Sequence, residues 1–152
     1  MRYKYISNAV SLFVICVALA GCDAPVLAAK TACTADAQQF WKRFRIAVLE
    51  NNPSGVADLT QFPFIVSSGI VDTDRKNTSI QRTEFIKRYP QLLSQDPGLK
   101  IEPSTMLDLI KTSEQLKESF CASDGEQFRA GDWVFQVKSQ NWRFVQVYVG
   151  DE

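Results

Sequence analysis

The chain contains no histidine. That removes the Ser-His-Asp and Cys-His nucleophile pairs, the usual zinc sites and the ordinary neutral-pH proton shuttle. Acid–base chemistry would then fall to carboxylates and phenols, and Asp58, Tyr89 and Asp108 are the ones nearest apolar stripes. A carboxylate buried there is raised toward neutrality and can serve as a base. Their spacing pairs none of them, so they read as helix-surface polar groups and a core tyrosine rather than a catalytic set. Asp72, Asp74 and Asn77 imitate the start of a calcium loop, but Asn77 and Thr83 stand where the loop needs glycine and a bidentate glutamate. The segment reads as a solvated loop. Trp133, Trp142, Phe144 and Tyr148 could line a ligand-binding sheet face; aromatics of this kind more often fill the space between sheet and helix, and the core reading is preferred. The chain is expected to be no enzyme and to carry no metal or cofactor.

At 152 residues with 17 basic and 17 acidic side chains, the chain has room for one compact domain. Its zero net charge gives no electrostatic reason for a nucleic-acid partner.

The amino terminus reads as an address. Arg2 and Lys4 precede a 12-residue apolar run, Ala9 to Ala20, which is shorter than the roughly 20 residues a spanning helix needs. Leu19-Ala20-Gly21-Cys22 then resembles the lipobox of bacterial lipoproteins. The resemblance implies a signal peptide over 1–21, diacylglyceryl (palmitate-type) modification of Cys22, and a mature chain that begins there. Two or three acyl chains would anchor it firmly, at about 0.8 kcal/mol per buried methylene. Asp23 resembles an inner-membrane retention signal, so a periplasmic, lipid-anchored location is expected, with the inner membrane favoured. Simple secretory cleavage after Ala28 or Ala29 is the alternative. Loss of Arg2 and Lys4 leaves 15 basic against 17 acidic residues, a net of −2.

With Cys16 in the signal and Cys22 lipidated, Cys33 and Cys121 are left over. In an oxidising compartment they are expected to pair, closing a span of 88 residues.

Residues 22–32 read as a tether to a single domain over 33–150. A helix is expected over 34–51, with Thr34 as cap and Ala37, Phe40, Trp41, Phe44, Ala47 and Val48 as its apolar stripe. A short helix follows over 53–60, capped by Asn52, with Val56 and Leu59 inward. A strand is expected from Phe62 to Val66, or in a longer form to Val71, and a polar turn over 72–79. A third helix over 82–94 buries Phe85, Ile86, Tyr89, Leu92 and Leu93, with a kink or early end at Pro90. Pro103 to Phe120 reads as a helix pair or as a strand followed by a helix, and a strand near 105–110 with a helix over 113–120 is preferred. Trp133 to Lys138 and Trp142 to Val149 alternate as an antiparallel hairpin lying centrally in a sheet.

Helices first and long strands last give an α+β class, with helices packed on a curved antiparallel sheet. The opening Phe40-Trp41-x-x-Phe44-x-x-Ala47 helix, the short helix before Phe62-Pro63-Phe64, the helix with Phe85 and the closing Trp142 hairpin resemble the nuclear-transport-factor-2-like (NTF2-like) cone fold. A cystatin-like arrangement is the nearest alternative. Enzymes of the resembled superfamily use an aspartate, tyrosine or histidine inside the cone, which again points to Asp58, Tyr89 or Asp108. The function expected is non-enzymatic protein binding at the membrane, for example by an immunity or inhibitor lipoprotein. The alternative is a small-molecule or enzymatic site in the cone, and a structural envelope subunit comes third.

Overall fold

The computed structural model describes residues 33–69, 75–98 and 102–150. The signal segment, Cys22, Asp23, the tether, Val71, Asp72 and Asp74 lie outside them.

Thr34 starts the first helix, α1 (Ala35–Leu49), its side-chain oxygen accepting the Ala37 N–H at 3.2 Å. The cap satisfies a donor that the first turn would otherwise leave unpaired. All six residues of the expected stripe are buried. Asn52 likewise caps α2 (Pro53–Asp58) by accepting the Gly55 N–H at 2.8 Å, and Pro53 sits where no donor is needed. Val56 is buried, whereas Leu59 is only half-buried.

The strand β1 (Thr60–Ser68) begins two residues before the expected start. The segment read as a polar turn instead forms β2 (Lys76–Ile80), antiparallel to β1 with Phe64 opposite Ile80 and Ser67 opposite Asn77. An edge strand needs little apolar alternation, and β2 buries Ile80 alone. Its lysine and hydroxyls suit a solvent-facing edge.

Helix α3 (Arg82–Ser94) runs on past Pro90 rather than ending there. A proline inside a helix costs about 3 kcal/mol. Leu92 and Leu93 are buried beyond it, at about 1.5–3 kcal/mol each, and that burial outweighs the penalty.

The stretch after Pro103 corrects the expectation twice. Residues 105–110 belong to a helix, α4 (Met106–Thr112), and 113–120 hold only a short 3-10 turn at Glu118–Phe120. Met106, Leu109 and Ile110 are buried at helical spacing, and Thr105 accepts the Asp108 N–H at 3.1 Å. Residues 113–116 need no helix of their own because α1 supplies hydrogen-bond partners. Trp41 Nε1 donates to the Ser113 carbonyl at 2.8 Å, and the Gln38 amide both donates to and accepts from the Leu116 backbone. Arg45 donates to the Ile110 and Lys111 carbonyls at 2.9 and 2.8 Å, closing the C-terminal end of α4.

Three strands complete the sheet: β3 (Gln127–Ala130), which the sequence reading did not anticipate, β4 (Trp133–Lys138) and β5 (Asn141–Val149). Ser139 (φ 48°) and Gln140 (φ 65°) form the two-residue left-handed turn that suits a tight hairpin. Strand order is β2-β1-β5-β4-β3, so β5 is central. The expected antiparallel sheet contains one parallel pair, β1 with β5; the intervening helices give the chain the length to return in the same direction.

Helices packed against this mixed five-stranded sheet give an α+β architecture that matches the NTF2-like or cystatin-like arrangement. Between the layers Phe44 meets Phe135 at 5.0 Å and Phe144 at 5.4 Å, Phe64 meets Phe85 at 5.0 Å, and Phe128 stacks on Phe135 at 4.5 Å. Cys33 and Cys121 form the expected disulfide. It joins the residues before α1 to the β3 edge, where Cys121 bridges Phe128.

Candidate functional site

The three acid–base candidates occupy separate environments. Asp58 ends α2 in solvent and pairs with Arg82 at 2.7 Å. Asp108 sits in the first turn of α4, half-exposed, accepting the Thr105 hydroxyl at 2.7 Å with Lys111 at 3.7 Å. Tyr89 alone is buried, against Phe85 at 6.2 Å. Its hydroxyl has no hydrogen-bond partner, and burial pushes the phenol well above its ordinary range, so it stays neutral. No hydrogen bond or ion pair links any two of the three. Among the described residues, no group of three or more His, Cys, Asp or Glu side chains could hold a metal ion.

The four singled-out aromatics divide between the two faces of the sheet. Trp133 and Phe144 are fully buried and stack at 4.7 Å, and half-buried Trp142 packs on Phe128 at 5.1 Å. Strict alternation would send Gln146 and Tyr148 inward after Phe144. A bulge intervenes: Phe135 faces Phe144, yet its neighbour Val134 faces Gln146, so Val145 is the extra residue. The parity of β5 flips there. Val147 joins the core in place of Gln146, and Tyr148 turns to the outer face. The signal was present as a phase slip: Trp142 and Phe144 fall on even numbers, whereas Val145, Val147 and Val149 fall on odd ones.

That outer face, opposite the helices, carries an ordered polar layer. Gln146 Nε2 donates to Ser67 Oγ at 2.8 Å, and Ser67 Oγ donates to Asn77 Oδ1 at 2.6 Å, a chain across β5, β1 and β2. Gln136 Nε2 donates to Gln127 Oε1 at 2.7 Å across β4 and β3. Arg75, next to the β2 edge, and Arg129, on the β3 edge, both approach the Tyr148 ring, their guanidinium carbons 4.8 and 4.7 Å from its centroid. Beneath this layer Val134 and Val145 are only 3% and 8% exposed, although neither belongs to the main core. Long polar side chains cover them. Arg143, on the same face, donates to the Asp58 carbonyl at 3.0 Å. At the β3–β4 turn Asp132 lies 3.5 Å from Arg129. Burial raises its carboxyl pKa against the lowering effect of Arg129, and Asp96 adds to the rise.

The arrangement can present fixed guanidinium and amide donors to another surface. Sequence reasoning missed it because its members come from five strands, two of them, β2 and β3, unforeseen. The helical side carries an open groove of about 710 Å³, lined by Asp108, Thr112, Lys117 and Phe120 among others. It holds Asp108 without Asp58 or Tyr89. No family model, no curated protein and no solved structure significantly matches this chain.

Proposed function

We propose that the chain is a lipid-anchored envelope protein whose folded domain binds another protein without catalysing a reaction, in the manner of an immunity or inhibitor lipoprotein. The observation that carries this reading is the contrast between the two faces of the sheet. Rings of Phe40, Trp41, Phe44, Phe128, Phe135 and Phe144 occupy the space between the layers, while among the described residues no helix covers the opposite face, whose polar side chains are already ordered. Ordered polar side chains lose less freedom on binding, which favours association. Tyrosine and arginine are also the residues on which interface energy tends to concentrate.

The lipobox supports the anchor, and the Cys33–Cys121 bridge supports an oxidising compartment. No described helix is long and apolar enough to cross a membrane. Residues 22–32 would span up to about 40 Å when extended, enough for the domain to turn freely above a bilayer. The element order supports an NTF2-like cone as the scaffold. Intact mass of the protein from its native host tests the anchor: a mature chain starting at a diacylated Cys22 is expected, and a bare Cys22 or retained Met1 refutes it. Co-purification of the full chain from the host envelope tests the binding role. A stoichiometric protein partner is expected, and its absence counts against the proposal.

A second reading, a small-molecule site in the cone, is favoured by three buried polar atoms without partners: Tyr89 Oη, Trp133 Nε1 and Gln95 Oε1. A crystal structure with ligand density at Tyr89 Oη would support it over the first.

A further inference from the structure

Resting on the protein-binding reading, we propose that the outer sheet face receives a partner surface rich in carboxylates. Among the described residues this face carries Arg75, Arg129, Arg143 and Lys138, against the single carboxylate of Asp132. Arg82, Arg88 and Lys111 on the helices each have a carboxylate neighbour, at 2.7, 2.7 and 3.7 Å. Arg75, Arg143 and Lys138 have none among the described residues. A guanidinium stacked on tyrosine keeps its edge N–H groups free, and those match the two oxygens of a carboxylate. Arg75 and Arg129 stack on either side of Tyr148, and of the two Arg129 also reaches Asp132 at 3.5 Å through one edge nitrogen. The Gln127–Gln136 and Asn77–Ser67–Gln146 chains fix the amides between the cations. The face offers no exposed large apolar side chain to insert into lipid; the exposed Ile46 and Leu49 are on α1. A protein surface therefore fits it better than a bilayer.

Asp72, Asp74, Asp151 and Glu152 adjoin the Tyr148 end in sequence and lie outside the described residues. Arg143, at the other end of β5, is therefore tested separately. The full chain, carrying a photo-crosslinking p-benzoylphenylalanine at Ser79 on this face or at Gln39 on α1, is irradiated in its native host membranes. A discrete adduct is expected from position 79. It should fall about tenfold or more with Arg75→Gln/Arg129→Gln/Arg143→Gln and measurably with Arg143→Gln alone, at an unchanged thermal midpoint. Added decaglutamate should suppress it, and added salt should weaken it. An adduct from position 79 indifferent to these changes overturns the inference and leaves the protein-binding reading standing. So does an adduct from position 39 only. Competition by phosphatidylglycerol vesicles but not by decaglutamate, or an adduct with the mass of two copies of this chain, also overturns it. No adduct from either position defeats the protein-binding reading itself.

Discussion

Tyr89 combines almost complete burial with a hydroxyl that no described group accepts or donates to. Leaving such a group unmade costs about 1–3 kcal/mol, while its ring contributes fully to packing. Tyr89→Phe is therefore expected to leave stability unchanged or raise it by about 1 kcal/mol in urea unfolding. A clear loss would mean that the hydroxyl has a partner. Asp132 gives a prediction with a sign. Its folded pKa is raised by burial, so the folded state binds more protons than the unfolded chain just above the ordinary carboxylate range. This group's contribution therefore improves as pH falls through the raised pKa toward 3.8 and is lost as pH rises through that window. Wild type should gain thermal stability relative to Asp132→Asn when the pH drops from 7 into the acid range; an unchanged difference would contradict the shift. Asp58 and Asp108 show what single residues conceal. Each adjoins an apolar stripe in sequence, yet Arg82 and Thr105, which set their surroundings, act through helix ends and contacts that the stripe does not encode.

At the level of elements, Pro90 tests whether burial holds α3 together against local chemistry. Pro90→Ala restores the missing N–H in an exposed helical position and should stabilise the protein by about 1–3 kcal/mol in chemical unfolding. No gain would show that the helix has already adapted to the ring. Elements whose period is complete within their own residues were legible: the stripe and cap of α1, the cap and proline of α2, and the β4–β5 hairpin. Those that borrow from elsewhere were not. Residues 113–116 draw their hydrogen bonds from Gln38 and Trp41, more than 70 positions away. Strand β2 takes its ladder from β1, and β3 takes its ladder from β4.

For the whole molecule, the Cys33–Cys121 bridge ties the start of the domain to the β3 edge across 88 residues. Chain entropy assigns such a loop roughly 4–5 kcal/mol. The Cys33→Ser/Cys121→Ser double variant should lose stability of about that order in non-reducing urea unfolding; a loss below about 1 kcal/mol would mean that the unfolded chain is already compact. The pairing, the α+β class and the aromatic inventory of the core could be read along the chain, because cysteine count, periodicity and residue type are properties of short segments. Three things waited for the folded chain: the parallel meeting of β1 with β5, the bulge that turns Tyr148 away from the core, and the gathering of Arg75, Arg129 and Arg143 on one face. Each depends on register between strands far apart in sequence, and a shift of one residue in register exchanges the two faces of a strand.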